Sequence, residues 1–369
     1  MKRLLLVGGG HSHVAVLRSL GEQPVSGVQA TLISPERLTP YSGMLPGLIA
    51  GHYGYRDGHI DLAALARFAR CELIEEAVAG LDLARRMAVM SDGAEREWDV
   101  LSLDIGSTPA MADVAGAHEW AIPVKPVQRL LGALDDLLAR ARRGALRRIL
   151  FVGGGAASVE VLLAVQHRFA QAHLPDVEMQ LATDADGPLP GHNARVRAIF
   201  ARVLSERGVR VHTRSRIVRV NEDAALTDGG ARIGFDALVW ATGAAAARWP
   251  GRSGLACDPD GFVLIDDTLQ SISHPRVFAA GDIATQLGHP RPKSGVYAVR
   301  QGAPLARNLR AALAGGRLER FVPQRAALAL ISTGDRYAVM SRGRWALEGA
   351  WVWRWKDWLD RRFMRRYRL

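Results

Sequence analysis

A short apolar run that leads directly into a glycine-rich turn and then into a helical pattern occurs twice in this chain. The two copies are residues 4–7 with Gly8 and Gly10, and residues 149–152 with Gly153 and Gly155. Glycine at such a turn lets a phosphate approach the backbone N–H groups at the positive end of the following helix. A single glycine-rich segment of this kind is also compatible with a tight turn that binds no nucleotide. Two of them, each between a strand and a helix, indicate two nucleotide-binding units.

Apolar runs and helical patterns continue to alternate after each turn, which is typical of a parallel sheet covered by helices on both faces. Strands are predicted over residues 29–33, 178–182, 208–220, 235–239 and 276–279, helices over 127–146 and in the later part of 291–314, and an antiparallel pair over 326–331 and 337–341. The predicted fold class is therefore α/β, with two Rossmann-like, three-layer nucleotide-binding domains.

The composition fits this fold and argues against several kinds of active centre. The 369 residues are 48% hydrophobic and 23% charged, as in globular proteins. The two cysteines, Cys71 and Cys257, are far apart, so a dithiol centre is not supported and a reducing, cytoplasmic compartment is expected. We expect no metal site and no nucleic-acid partner, because neither ligand spacing nor a binding module is present. No apolar stretch approaches the roughly 20 residues of a transmembrane helix.

Both turns depart from the usual three-glycine pattern, because His13 and Ser158 stand at the third position. An acid that binds ribose hydroxyls is expected shortly after the next strand. Glu36 is the candidate in the first unit, although a surface-loop carboxylate would explain it as well. Asp184 is the candidate in the second unit, where an acid favours NADH over NADPH, but two nearby arginines leave that preference open.

The chain resembles the pyridine nucleotide–disulfide oxidoreductase superfamily over roughly residues 1–315. The resemblance is carried, in the expected order, by LLLVGGGHSH (4–13), ILFVGGGAASVE (149–160), VWATGA (239–244) and VFAAGDIA (277–284). It implies that the first turn holds FAD, that Asp282 contacts the ribityl chain of the flavin, and that the second turn holds NAD(P)H. The FAD-binding domain is then discontinuous, with expected limits 1–115 and 255–318, around an NAD(P)H-binding domain at 145–248 and before a C-terminal region at 319–369.

Within the superfamily, the lack of a cysteine pair argues against disulfide reductases and makes sulfide:quinone oxidoreductases a poorer match. The pattern is similar to type II NADH:quinone oxidoreductase, whose A-x-x-Q-x-G helix start is matched at Ala298 and Gln301, with Gly302 one position earlier than the glycine of that pattern. That resemblance implies that Gln301 lies near flavin and quinone, and that Glu160 lies near the nicotinamide.

Two further segments refine the resemblance. Residues 39–53 are closer still to a flavoprotein subgroup found alone or fused to selenide, water dikinase, which makes Pro46 a flavin candidate, although a Pro/Gly-rich loop is the alternative. Residues 104–107 stand where the family usually has A-T-G before a flavin contact, and Gly106 keeps the glycine of that pattern.

The candidate site residues follow from the turns and the resemblance. The expected catalytic residues are Gln301, Glu160 and Lys293, and His11, His13 and Tyr297 are further candidates for a proton donor. The expected cofactor-binding residues are Gly8, Gly10, His11, Ser12, His13, Glu36, Pro46, Gly106, Gly153, Gly155, Ser158, Asp184, Gly243, Gly281, Asp282 and Gln301. An isolated Lys or His is more often a solvated or structural residue, so only the positions of these residues in the sequence support their assignment as proton donors.

The expected function is an FAD-dependent NAD(P)H oxidoreductase that passes hydride from NAD(P)H to FAD and electrons on to a quinone-type acceptor. The alternatives are a reductase of a soluble sulfur, selenium or protein acceptor, and a non-enzymatic redox-sensing flavoprotein.

The last 19 residues, 351–369, contain seven Lys or Arg and form a helical pattern. One face carries Trp351, Trp355, Trp358, Leu359 and Phe363. Tryptophan and arginine together suit a membrane surface, and the alternative is a helix docked on its own protein or on a second copy in a homodimer. The chain is accordingly expected in the cytoplasm, on the inner face of the cytoplasmic membrane.

Overall fold

Each glycine turn lies at the end of the central strand of a five-stranded parallel sheet in the computed structural model, which describes residues 1–174 and 176–369. The strands are β1 (Lys2–Val7), β2 (Val28–Ile33), β3 (Leu38–Pro40), β4 (His59–Asp61), β5 (Glu72–Ile74), β6 (Val78–Asp82), β7 (Met87–Met90), β8 (Glu95–Glu97), β9 (Val100–Leu103), β10 (Thr108–Pro109), β11 (Ala121–Pro123), β12 (Arg148–Val152), β13 (Glu178–Ala182), β14 (Arg210–His212), β15 (Ile217–Val220), β16 (Ala224–Thr227), β17 (Arg232–Gly234), β18 (Ala237–Trp240), β19 (Ala244–Ala245), β20 (Val263–Ile265), β21 (Val277–Ala279), β22 (Ala284–Gln286), β23 (Ala329–Ser332), β24 (Ala338–Arg342) and β25 (Trp345–Gly349). The helices are α1 (His11–Glu22), α2 (Leu45–Ile49), α3 (Leu62–Ala69), α4 (Ala117–Trp120), α5 (Val127–Arg142), α6 (Ala156–Gln171), α7 (Ala194–Glu206), α8 (Trp249–Arg252), α9 (Gly295–Ala314) and α10 (Ala350–Arg365).

The first parallel sheet has the strand order β21-β9-β1-β2-β5. Residues 4–7 of its central strand β1 form an unbroken apolar run because α1, α3 and α9 pack against this part of the fold, and Leu4, Leu5 and Leu6 are at most 2% exposed. Strand β21 follows the whole second unit in the chain and pairs with β9 in parallel. The first sheet is thus assembled from two distant parts of the sequence.

The second parallel sheet has the strand order β11-β18-β12-β13-β14 and repeats the arrangement around the second turn. Helix α6 follows β12 directly, and Phe151 and Leu150 of β12 are fully buried. These two sheets with their covering helices confirm the predicted α/β fold class.

Several predicted elements differ from the structure in their limits. The helix predicted over 127–146 ends at Arg142, because Gly144 adopts a left-handed conformation (φ +70°) that stops it. The single strand predicted over 208–220 is two strands, β14 and β15, in different sheets, since the chain reverses at Arg214 (φ +48°). The predicted antiparallel pair near the C-terminus is three-stranded, because β25 adds to β24.

Helix α10 ends the chain and packs on the sheet formed by β23, β24 and β25. Its inward face consists of Val352, Lys356, Asp360 and Met364, at intervals of four residues, and all are buried. Trp351, Trp355 and Trp358 are exposed to 47%, 36% and 49%. The helix therefore docks on its own protein and also presents tryptophans on its surface, while attachment to a membrane stays a prediction.

Candidate functional site

The first glycine turn joins β1 to α1, and its geometry requires glycine. Gly8 has a φ of +94°, and a Cβ there would overlap the backbone carbonyl of Asp104. The N–H of Gly8 donates to the carbonyl of Ile33 (2.8 Å), and the N–H of Gly10 donates to the carbonyl of Asp104 (3.1 Å). The turn is thereby held between β2 and β9 at the carboxyl edge of the sheet, where open α/β sheets bind their ligands.

A buried carboxylate occupies the N-terminus of α1. Asp104 follows β9 directly and is 2% exposed, and its Oδ2 accepts hydrogen bonds from the N–H groups of Ser12 (2.7 Å) and His13 (3.0 Å). Burial, together with the charge of Asp282, raises the pKa of Asp104 to about 7, although the two N–H donors oppose the shift. The sequence analysis gave Asp104 no role, and the only signal was its departure from the family's A-T-G segment.

The side chains of Ser12 and His13 serve internal packing. His13 is 0% exposed; its Nδ1 lies 2.6 Å from the carbonyl of Gly8 and its Nε2 lies 2.8 Å from Oγ of Ser102. The Ser12 hydroxyl donates to the carbonyl of Ala298 on α9 (2.8 Å). The polar atoms of both side chains are therefore already bonded within the protein, and a cofactor contact by Ser12 or His13, or proton donation by His13, stays a prediction.

His11 has different surroundings. Its ring lies edge-on to Tyr41, with 5.5 Å between centroids, and its Nε2 is buried with no hydrogen-bond partner in the described part of the chain. Burial lowers the pKa of His11 to about 4, although the charge of Asp282 opposes this. Because buried polar atoms in proteins are nearly always bonded, an unpaired ring nitrogen marks a place for a polar ligand group. Tyr41 also stacks on Phe363 of α10 at 4.3 Å, so the C-terminal helix reaches this site.

Asp282 lies in a 3-10 turn opposite the end of β9. Its Oδ2 accepts a hydrogen bond from Ser107 (2.8 Å) and forms an ion pair with Lys125 (3.0 Å). Burial alone would raise the pKa of Asp282, but Lys125 and the Ser107 hydroxyl lower it on balance. The N–H of Gly281 donates to Oε1 of Gln301 (2.7 Å), which ties the turn to α9. Lys125 lies between the two units in the chain, and no motif in the sequence identified it as a site residue.

Lys293, Gln301 and Tyr297 line one small cavity. The ammonium group of Lys293 donates to the carbonyl of Ala284 (2.7 Å) and to the hydroxyl of Thr285 (2.8 Å). Burial lowers the pKa of Lys293 to about 8, although nearby carboxylates oppose the shift. The structure therefore brings two of the predicted catalytic residues together at the start of α9.

The second glycine turn joins β12 to α6. Gly153 has a φ of +124°, and a Cβ there would overlap the carbonyl of Ala241. In contrast, no heavy atom lies within 4 Å of the Cβ position of Gly155, and the same holds for Gly243 after β18. The hydroxyl of Ser158 is buried and has no partner among the residues that the structure describes. This turn thus combines open space with an unused hydroxyl.

The two candidate ribose acids follow β2 and β13, the strands that come next in the chain after the two glycine turns and their helices. Asp184 is exposed beyond β13, and its neighbour Asp186 forms an ion pair with Arg214 (2.6 Å). Glu36 is half-buried beyond β2; burial raises its pKa, although a hydrogen bond from Gln128 opposes the shift. Their role in ribose binding stays a prediction.

Other predicted flavin contacts lie nearby. Gly106 has a φ of +70° and open space at its Cβ position. Pro46 is buried in the first turn of α2, which packs against α6 of the second unit. The loop that was expected beside the flavin therefore also contacts the second nucleotide-binding unit.

Glu160, on α6, lies where a strand and a helix from the C-terminal region meet the second unit. Its Oε1 accepts the N–H of Ser332 (2.7 Å). Burial raises the pKa of Glu160 to about 7, although the charge of Lys356 opposes this. Lys356 and Asp360 are 8% and 6% exposed and form an ion pair of 2.6 Å, and Lys356 also donates to the carbonyl of Gly43. The sequence analysis did not identify this buried ion pair in the tail.

The structure adds three findings on other kinds of site. Cys71 and Cys257 are free thiols, and burial raises the pKa of both. Over residues 1–174 and 176–369, no group of three or more His, Cys, Asp or Glu side chains could hold a metal ion. Across the same described residues, no helix is sufficiently long and apolar to cross a membrane.

Comparison with protein families and curated sequences gives a consistent assignment. The family model described as pyridine nucleotide-disulphide oxidoreductase matches residues 2–302. An NADH dehydrogenase-like protein of Mycobacterium tuberculosis is 25% identical over 237 residues, which cover 62% of this chain and 59% of that relative, less than two thirds of its length. An NADH dehydrogenase-like protein of Bacillus subtilis is 23% identical over 332 residues, which cover 88% of this chain and 87% of that relative.

Solved structures share the fold at low sequence identity. A sulfide:quinone oxidoreductase from Aquifex aeolicus superposes with a TM-score of 0.83 at 16% identity and covers 100% of this chain and 92% of that one. The NDH2 of Plasmodium falciparum, solved in complex with NADH, has a TM-score of 0.78 at 13% identity and covers 99% and 98% of the two chains.

Proposed function

The chain belongs to the pyridine nucleotide-disulphide oxidoreductase family, and from that premise we propose that it passes electrons from NAD(P)H through FAD to a quinone at a membrane surface. FAD and NAD(P)H are the cofactors of this family, so the chain is an NAD(P)H-dependent flavoprotein oxidoreductase. The quinone acceptor and the membrane surface are the proposed part. The observation that carries the proposal is the convergence of α10 on residues of both nucleotide-binding units.

The residues at the first turn fit a flavin nucleotide. The unpaired Nε2 of His11 and the open space beside Gly106 leave polar and steric room at the carboxyl edge of the first sheet. Asp282, kept ionised by Lys125, offers a carboxylate that can accept hydrogen bonds from hydroxyl groups. We infer that His11, Gly106 and Asp282 hold the flavin and its ribityl chain.

The residues at the second turn fit a nicotinamide dinucleotide. Gly155 and Gly243 face open space, and the N-terminus of α6 is positive because its first N–H groups have no partner within the helix. The free hydroxyl of Ser158 adds a donor at the same place. These features support binding of the diphosphate at Gly155 and of the ribose at Asp184.

The chemistry that FAD supplies when bound is acceptance of a hydride from NAD(P)H and delivery of electrons to a second acceptor. The chain's own contribution is orientation and proton supply. Gln301 holds the Gly281 turn in place through its amide oxygen. Glu160, with a pKa near 7, can hold or release a proton at neutral pH, which reduction of a quinone to a quinol requires.

The surface of α10 supports a membrane site for the acceptor. Trp351, Trp355 and Trp358 are exposed on the helix, and Trp345 of β25 is 61% exposed beside them in the chain. Arginines flank these tryptophans along the helix. Indole rings at headgroup depth and cations that meet anionic lipid are the features of helices that lie on a bilayer.

The acceptor is tested by the absorption spectrum of the purified protein. Anaerobic NADH should bleach the yellow flavin, and a short-chain quinone should restore the colour within the time of one turnover. Absence of bleaching would overturn the proposal as a whole. Reoxidation by a sulfur compound or a redox protein, with no reaction towards quinone, would retain the flavoprotein and replace the acceptor.

The membrane surface is tested by sedimentation with vesicles of phosphatidylglycerol and phosphatidylcholine. We expect the protein to sediment with them and expect the variant W351S/W355S/W358S to stay in solution. The matched control is Trp120→Ser, which removes a 37% exposed tryptophan on α4. Equal sedimentation of the triple variant and the control would contradict the assignment of α10 to the lipid surface.

A further inference from the structure

The carboxylate of Asp104 lies where a bound phosphate would be expected. Its Oδ2 accepts the N–H groups of Ser12 at 2.7 Å and of His13 at 3.0 Å, both in the first turn of α1. Such N–H groups have no partner within the helix and form the positive end of its dipole. An anion at a glycine turn normally takes this position, so the protein supplies an anion of its own.

The surrounding backbone is shaped to this side chain. A Cβ on Gly10 would overlap the carboxyl group of Asp104, and so would a Cβ on Gly281 from the distant second part of the sheet. The main chain of Asp104 is also bonded on both sides, from its N–H to the carbonyl of Val7 (2.8 Å) and from its carbonyl to the N–H of Gly10 (3.1 Å). Asp104 is therefore held rigidly against the turn.

The titratable groups around Asp104 come from four segments of the chain. Asp282 faces it and is itself paired with Lys125. His11 lies close to both of these residues and is neutral at physiological pH, because burial lowers its pKa to about 4. Lys293 faces Asp282 from the segment before α9 and has a pKa of about 8. Strand β1 contributes only apolar residues next to the turn.

We propose that Asp104 competes with the FAD diphosphate for the N-terminus of α1, and that FAD binding therefore transfers one proton from solvent to the Asp104 carboxylate. This inference rests on the proposed function only in that FAD is the ligand of the first turn. Protonation removes the repulsion between the two anions, and the neutral carboxyl can then donate its O–H to a phosphate oxygen. The raised pKa of Asp104, about 7 in the free protein, makes this transfer accessible near neutral pH.

The first test is the affinity of the flavin-free full chain for FAD between pH 6 and pH 9, measured by quenching of flavin fluorescence. A required proton on a group with a pKa near 7 weakens binding by about a hundredfold over this range. Calorimetry at pH 8 in buffers of different ionisation heat should show uptake of about one proton per FAD. A dissociation constant that does not change with pH, or no proton uptake, would overturn the proposal.

Variants separate Asp104 from other titrating groups. Asp104→Asn keeps an oxygen acceptor for the α1 N–H groups, so we expect it to fold and to bind FAD with no dependence on pH. The matched control is Asp61→Asn, which alters the carboxylate that caps α3 through the N–H of Ala64 (3.0 Å). The control should keep the full pH dependence. A pH dependence that persists in Asp104→Asn would assign the effect to Lys293 and refute the role of Asp104.

These outcomes are distinct from failure of the proposed function. If the wild-type chain binds no FAD at any pH, the assignment of the first turn fails. If it binds FAD equally well at every pH, the flavoprotein assignment stands and only the proposed proton transfer to Asp104 is refuted. Should Asp104→Asn not fold, Lys293→Gln decides the question: a pH dependence that persists in this variant supports Asp104, and one that disappears assigns the effect to Lys293 and refutes the role of Asp104.

Discussion

Replacing Lys356 with methionine removes the cation of an ion pair that the fold buries beneath α10. Its Nζ lies 2.6 Å from Oδ2 of Asp360, and the two residues are 8% and 6% exposed. Without Lys356 the carboxylate of Asp360 stays buried and unneutralised, and breaking a buried pair from one side costs about 3–5 kcal/mol. Both residues belong to the last helix, so we expect α10 to detach before the rest of the chain unfolds.

Trypsin digestion measures this detachment, because Arg361 and Arg362 become cleavable when α10 leaves its sheet. A loss of about 3 kcal/mol raises the population of the detached helix, and with it the cleavage rate, by roughly 150-fold. The double variant Lys356→Met/Asp360→Leu should recover most of the protection, since an apolar pair of similar volume replaces the charges. The control is Arg18→Met, which breaks an exposed pair with Glu22 of the same 2.6 Å length and should cost under about 1 kcal/mol.

Two results would refute this reasoning. Tryptic protection of Lys356→Met equal to that of the wild type would mean that the pair is not desolvated as the structure has it. If trypsin cleaves the double variant as fast as the summed destabilisations of the two single variants predict, then packing volume, and not charge pairing, holds α10 in place.

Three further predictions concern the nucleotide-binding units. Gly153→Ala, at a φ of +124° and against the carbonyl of Ala241, should lower the free energy of unfolding by at least about 2 kcal/mol. Gly155→Ala, with open space at its Cβ, should leave thermal stability unchanged and weaken NAD(P)H binding, and equal stability of the two variants would contradict the argument. The folded state holds the proton of Glu160 more tightly than the unfolded state, so the free energy of unfolding of the wild type should fall as the pH rises from 4.5, the ordinary carboxyl pKa, to about 7. Glu160→Gln should remove this fall, and urea unfolding at several pH values measures the difference. Asp184→Ser should weaken NADH binding roughly tenfold and NADPH binding less, as measured by fluorescence titration, and equal losses would exclude a ribose contact.

The local pattern of the chain was sufficient to predict the fold class and the family. Apolar runs that end in glycine turns specify buried parallel strands and helices that start at those turns, because backbone conformation and hydrophobic period are properties of neighbouring residues. The glycines at positions 8 and 153 were identified in this way, and their positive φ angles agree with the need for glycine. The motif around Asp282 was recognisable for the same reason, since its residues are consecutive.

Only the tertiary structure decided which polar side chains are free to act. His13 and Ser12 had the spacing of ligand-binding residues, yet contacts with β9 and α9 use their polar atoms. Asp104, Lys125 and Lys356 had no recognisable spacing, and they reach the sites because strands and helices far apart in the chain bring them there. Charge pairing and burial depend on such long-range contacts, and these contacts have no period that a sequence can display. The sequence by itself therefore determined two nucleotide-binding units in series, whereas the folded chain determined that an internal carboxylate caps the first of them and that the C-terminal helix joins both.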